Sequence, residues 1–181
     1  MNVQVELESR LRIDGSTTVS SFACQSEEVY GGALITEGAF RGDSSVVLGG
    51  AGRADLRVPV HSLDCGRRAM NEDLFEALKV DAHPTIQFDL ERVDVLERAG
   101  GGDGPYRLGI MGALTIAGVE RSIEVEAVGE AVGAGRGRAY GRKSLLMSDF
   151  GVDPPVAMLG LIRVQDEIEV HFDLVGSTTR R

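Results

Sequence analysis

The chain has 181 residues, with 19 basic and 28 acidic side chains, a net charge of −9 and a hydrophobic fraction of 43%. This composition supports one folded domain with a real core, and an acidic chain without a basic stripe argues against a nucleic-acid partner. No apolar run approaches the roughly 20 residues that a membrane-spanning helix needs, so no transmembrane segment is expected.

In chain order, Val3, Val5 and Leu7 alternate with Gln4, Glu6 and Glu8, which reads as a strand and not as a signal peptide. Asp14-Gly15, Gly31-Gly32 and Gly49-Gly50 are breakers. Leu56, Val58 and Val60 then alternate with Asp55, Arg57 and Pro59. A helix is expected over about residues 70–80, because Met70, Leu74 and Leu78 are spaced by four. Asn71 is its candidate cap, Glu72 and Asp73 suit the first turn, and Pro84 lies beyond the stop.

Ile86, Phe88 and Leu90 form the next wet/dry strand, and Val93-Asp94-Val95 leads into the Gly100 to Gly104 loop. Leu108, Ile110, Gly112, Leu114 and Ile116 make one long stripe. A hairpin turn over Ala117-Gly118-Val119-Glu120 returns the chain to Ile123, Val125 and Ala127. Gly133 to Gly137 breaks the pattern again, and a short turn is expected from Pro154 to Gly160. Ile168, Val170, Phe172 and Leu174 alternate with Glu169, His171 and Asp173, which places His171 on the wet face.

About eight such strands and one short helix imply an all-β sandwich or barrel, antiparallel because each strand keeps one solvated face. Eight strands make a barrel just wide enough for side chains or one ligand, and the helix could plug one end. Residues 1–176 read as a single domain and 177–181 as a C-terminal tail. Arg67-Arg68, Arg142-Lys143 and Arg180-Arg181 sit among acids and read as solvated loops and that tail. Glycine is the outlier at 24 residues, marking turns, bulges and tight bends.

Chemistry-bearing patterns are few. Cys24 and Cys65 lie without a Cys-x-x-Cys pair, so they are two buried thiols or one disulfide. His61, His83 and His171 show no ligand spacing, so no metal and no cofactor is expected. Nothing resembles a Gly-x-Ser-x-Gly nucleophile, and Gly100 to Gly104 lacks the Lys-Ser/Thr of a phosphate loop. No catalytic residue is assigned.

The order of several motifs resembles the YceI-like family. Ile13-Asp14-Gly15-Ser16-Thr17-Thr18-Val19, ending at Phe22, is similar to its first segment. Met70 through Leu78 to Pro84-Thr85-Ile86-Gln87-Phe88 resembles its helix and the following P-x-I-x-F strand. Gly112 to Val119 resembles its G-x-L-T-I-x-G-V hairpin, and Asp149-Phe150-Gly151 its DFG element. The resemblance runs from about Leu11 to Leu174. Two departures stand out: the aromatic residue common before the first Asp is Leu11 or Ile13 here, and the following histidine is replaced by Gly15-Ser16-Thr17. No role of those positions is carried over.

The resemblance implies an eight-stranded, lipocalin-like antiparallel β-barrel that binds a polyisoprenoid or related lipid without being an enzyme. The expected partner is a hydrophobic small molecule or lipid, and a homodimer is left open. Leu56, Val58, Ile86, Phe88, Leu108, Ile110, Gly112, Leu114, Ile116, Met147, Phe150, Val170 and Phe172 become candidate ligand-lining residues. Gly112 is where a missing side chain would leave room. The Cys24 and Cys65 pair looks like a branch of the family with a disulfide. Such members are exported in bacteria, which implies a periplasmic or secreted protein whose signal is absent from this chain, the alternative being cytoplasmic. Two rival readings stay open: a solidly packed structural or interaction barrel, and a lipid-acting enzyme.

Overall fold

A computed structural model describes residues 1–42, 45–49, 51–98, 105–133 and 135–179; the expected Gly100 to Gly104 loop and the Arg180-Arg181 pair lie outside the described residues. Strands β1 (Asn2–Val5), β2 (Arg10–Ser16), β3 (Ser21–Ser26), β4 (Tyr30–Ile35), β5 (Phe40–Arg41), β6 (Ser45–Val47) and β7 (Gly52–Pro59) come first. Helix α1 (Arg68–Ala77) follows. Then come β8 (Thr85–Arg98), β9 (Tyr106–Ile116), β10 (Val119–Gly133), β11 (Arg136–Leu146), β12 (Val156–Ala157), β13 (Ile162–Arg163) and β14 (Glu167–Thr179).

The strands close into an eight-course antiparallel barrel. β1 and β2 form one course broken at Glu6 to Ser9, and β3 and β4 form the next, broken at Glu27 to Val29. The order then runs β7, β8, β9, β10, β11 and β14, and β14 returns to the first course. Glu169 to Asp173 pair with Asp14 to Arg10, and Gly176 to Thr179 pair with Val5 to Asn2. Ser177 to Thr179, expected as tail, are therefore part of this closing ladder. Closure leaves little free edge, the usual weakness of an antiparallel sheet: β3 pairs with β2 on one side and meets Asp64 through Gln25 on the other.

Ser9 fastens the break in the first course. It is fully buried, its Oγ donates to the Val175 carbonyl (3.2 Å) and accepts from the Val175 N–H (3.0 Å). The Glu6 N–H adds a bond to the same carbonyl at 2.8 Å. Elsewhere local chemistry sets the register. Ala117 and Gly118 both take positive φ, 49° and 80°, which gives the two-residue hairpin between β9 and β10 the twist its strands need. In β8 the register shifts between Leu90 and Arg92, so the inward phase passes from Ile86, Phe88 and Leu90 to Val93.

The helix starts two residues before the expected 70, and Asn71 does not cap it. Asn71 lies inside α1, accepts from the Cys65 N–H at 2.7 Å and donates to Asp64 at 3.0 Å, tying the helix to the loop before it. The turn expected at Pro154 to Gly160 contains the β12 strand, which pairs with β13. His171 is on the outer face as expected, its Nε2 3.2 Å from Asp14 and 2.8 Å from Glu169.

Outside the wall, the closing seam carries its ion pairs. The Arg138 guanidinium grips Asp173 with two bonds of 2.7 and 2.6 Å, reaches Glu130 at 3.2 Å and lies over the Tyr140 ring. This pairing holds the Asp173 carboxyl below the usual carboxylate range, and Arg136 does the same for Glu6. A depressed pKa means that the contribution of Asp173 is present above the unfolded value of about 3.9 and is lost as the pH falls through the lower folded value. Asp173→Asn is expected to cost about 0.5–1 kcal/mol at pH 7, the range for a well-oriented but half-exposed pair. In thermal melts across pH, the gap between wild type and variant should close below about pH 4; a gap that persists at low pH would contradict this account.

Candidate functional site

The inward faces of the strands enclose a cavity of about 970 Å³, bordered almost wholly by apolar side chains. That is near the top of the range for small-molecule sites, about 300–1,000 Å³. The two ends differ. At the helix end, Val60, Leu63, Leu78, Leu114, Phe150 and Val152 form a packed cluster of buried side chains, with Leu74 and Phe75 of α1 set against it. Deeper in the barrel Leu108, Ile110, Val170 and Phe172 also turn inward, yet each is only half-buried. The surface they keep faces the lumen, so the barrel is hollow where its end is solid.

Glycines in the wall help to keep it hollow. A Cβ at Gly141 would stand 2.8 Å from the Phe172 ring, its partner across the β11–β14 ladder. Gly112 stands in the same relation to Phe88, at 2.8 Å from ring atom Cε2. Without these side chains each ring can occupy the space directly over its glycine. Gly112 was expected to leave ligand space; that space is taken by Phe88, and Gly112 does not border the cavity. The other twelve candidates, Leu56, Val58, Ile86, Phe88, Leu108, Ile110, Leu114, Ile116, Met147, Phe150, Val170 and Phe172, do border it. Val58, Leu114 and Phe150 are mostly covered by their packed neighbours.

The sequence reading missed part of the lining. Leu11, Ile13, Ile123, Val125 and Leu174 border the cavity, and alternation was their available signal. It also placed Lys143 with Arg142 in a solvated cluster, whereas both residues lie in β11 on opposite faces. Arg142 reaches out to Glu169 (3.8 Å), while Lys143 shares the phase of Gly141 and Leu145 and borders the lumen.

A disulfide joins Cys24 of β3 to Cys65, three residues before α1. Beside it Gln25 and Asp64 exchange two backbone hydrogen bonds of 2.9 Å. The His61 ring meets the Phe75 ring edge-on at 4.8 Å between centroids. The segment that closes the barrel is thus fixed covalently to the wall. Among the described residues, no group of three or more His, Cys, Asp or Glu side chains is placed to hold a metal ion.

A family model described as a YceI-like domain matches residues 11–176. No curated protein matches the sequence significantly. Among solved structures, the chain is similar to Burkholderia cenocepacia BcnA at 17% identity, with a TM-score of 0.69 over 94% of this chain and 98% of that one. It is also similar to a polyisoprenoid binding domain from Saccharophagus degradans implicated in plant cell wall breakdown, at 14% identity and a TM-score of 0.72 over 98% of each chain. The Campylobacter jejuni YCEI protein matches at 14% identity and a TM-score of 0.60, over 87% of this chain and 85% of that one. At these identities the likeness is one of fold.

Removing the disulfide should loosen the plug and leave the wall. The Cys24→Ser/Cys65→Ser variant is expected to lose about 4 kcal/mol in urea unfolding, the chain-entropy value for closing a loop of 41 residues. Reductant should lower wild type to the level of the variant and leave the variant unchanged; equal stability of oxidised wild type and variant would contradict this.

Proposed function

The chain belongs to the YceI-like domain family, and from that premise we propose that it is a non-enzymatic carrier of one long-chain apolar or amphipathic lipid, isoprenoid- or quinone-like, held inside the barrel. The carrying observation is the hollow apolar lumen. At about 30 Å³ for a water-sized group, 970 Å³ corresponds to roughly thirty heavy atoms, the scale of a lipid tail. Each methylene buried contributes about 0.8 kcal/mol, enough over a long tail to offset the cost of association. The description of the Saccharophagus neighbour names a polyisoprenoid binding domain, which supports the same class here.

The packed-barrel reading is disfavoured by the half-buried inward residues. An enzyme would need converging acid, base or nucleophile groups in the cavity. Among the described residues, the strand positions that alternate into the lumen offer one charged side chain, Lys143, among aliphatic and aromatic ones, and α1 adds Asp73 at the helix end. The disulfide fits an oxidising compartment, and we assign the protein to the periplasm or the secreted fraction on that ground.

Native mass spectrometry of protein expressed in bacteria, followed by lipid extraction, should show one bound lipid per chain. Val170→Trp, which puts a large ring into the lumen, should abolish the adduct while the protein remains folded. A barrel that is always empty and takes up no prenol or quinone would overturn the carrier reading. Two free thiols in protein from its native cell would overturn the assignment of compartment.

A further inference from the structure

Lys143 is out of place in the wall. In the β11–β14 ladder it stands opposite Val170, which in turn stands opposite Ile13 of β2. Directly opposed residues share a face, and both Val170 and Ile13 border the lumen. The neighbours of Lys143 on its own strand and face are Gly141 and Leu145, so the ammonium enters the lumen from an aliphatic layer.

The other cations of this strand are satisfied on the outer face. Arg136 meets Glu6 and Glu8, Arg138 meets Asp173 and Glu130, and Arg142 meets Glu169. The Lys143 side chain has no hydrogen bond or ion pair with any described residue. The acids nearest along the ladder, Glu169 and Glu167, alternate to the outer face with Ser144 and Leu146. An aliphatic residue would suit the position better, since an ammonium turned into an apolar space is unfavourable without a counter-charge.

Building on the carrier reading, we propose that Lys143 is the headgroup anchor of the tunnel and that its occupant is an acid, a long-chain lipid whose terminal carboxylate pairs with the Lys143 ammonium. One lysine balances one negative charge. A phosphate monoester or diphosphate would bring more charge into the same layer with no second free cation among the described lumen residues, so a monoanionic head fits best. Lys143 lies one inward position from Leu145, which packs against the closed helix end. The head therefore sits towards the plug, and the tail runs past Phe172 and Leu174.

The test compares geranylgeranoic acid with geranylgeraniol, which share a tail and differ in the head, by titration into delipidated full-length protein at pH 8. Wild type should bind the acid about tenfold more tightly than the alcohol, the scale of one charge-assisted contact. In Lys143→Met the preference should vanish through weaker binding of the acid. Lys143→Gln, which keeps a hydrogen-bond donor of similar reach, is the second variant, and thermal melting shows that each is folded. Equal affinities in wild type, or a preference that survives in both variants, would overturn the anchor and leave the carrier reading standing. Failure of wild type to bind either probe would overturn both.

Discussion

The structure depends on the seam where the last strand meets the first. β14 must pair with two segments of one course, β2 along Glu169 to Asp173 and β1 along Gly176 to Thr179. A straight strand would not follow the curvature of a narrow barrel through both ladders. The break at Glu6 to Ser9 lets it turn, and the buried Ser9 hydroxyl restores hydrogen bonds at Val175, the residue where the two ladders part. The Arg138–Asp173 and Arg136–Glu6 pairs cluster on the outside of this seam. Once it is closed, the long courses β8 to β11 and β14 have partners on both sides, and the fold no longer needs a filled interior to hold its sheet together.

That freedom has a physical consequence. A small barrel gains most of its hydrophobic stabilisation by filling itself with side chains. Here filling is concentrated at the helix end, where Leu63 and Val60 are almost fully covered, and the middle is left open. Gly141 and Gly112 contribute by letting Phe172 and Phe88 lie against the wall. The disulfide and the Asn71 bonds then hold the solid end in place, where α1 adds few buried side chains of its own.

The alternation of Leu108 to Ile116, Ile123 to Ala127 and Ile168 to Leu174 made the barrel legible, because a strand with one wet face prints its orientation in the sequence. The hairpin at Ala117-Gly118 was legible through its turn chemistry. The bulge in β8 was not, since the shift from Leu90 to Val93 looks in sequence like a gap between two strands. Asn71 resembled a helix cap because capping and tertiary hydrogen bonding use the same amide. Gly112 was read as room for a ligand because sequence does not say which side chain covers a glycine. A sequence can mark which face looks inward, but not whether the inside is full.

Lys143 shows where the two kinds of information separate. Adjacent to Arg142, it reads as half of a basic pair, and composition treats the two alike. Register separates them, because strand neighbours point to opposite faces, and one residue of offset takes an ammonium from water into an aliphatic layer. A four-carbon stem can lie along apolar wall, which softens the cost of that placement without supplying a counter-charge. A barrel under selection for stability alone would place a valine there, like Val170 across the ladder. Retaining a cation in a hollow apolar space is a cost to the empty protein that is recovered only when an anion arrives, so the same residue that weakens the unliganded barrel would set which lipid it holds.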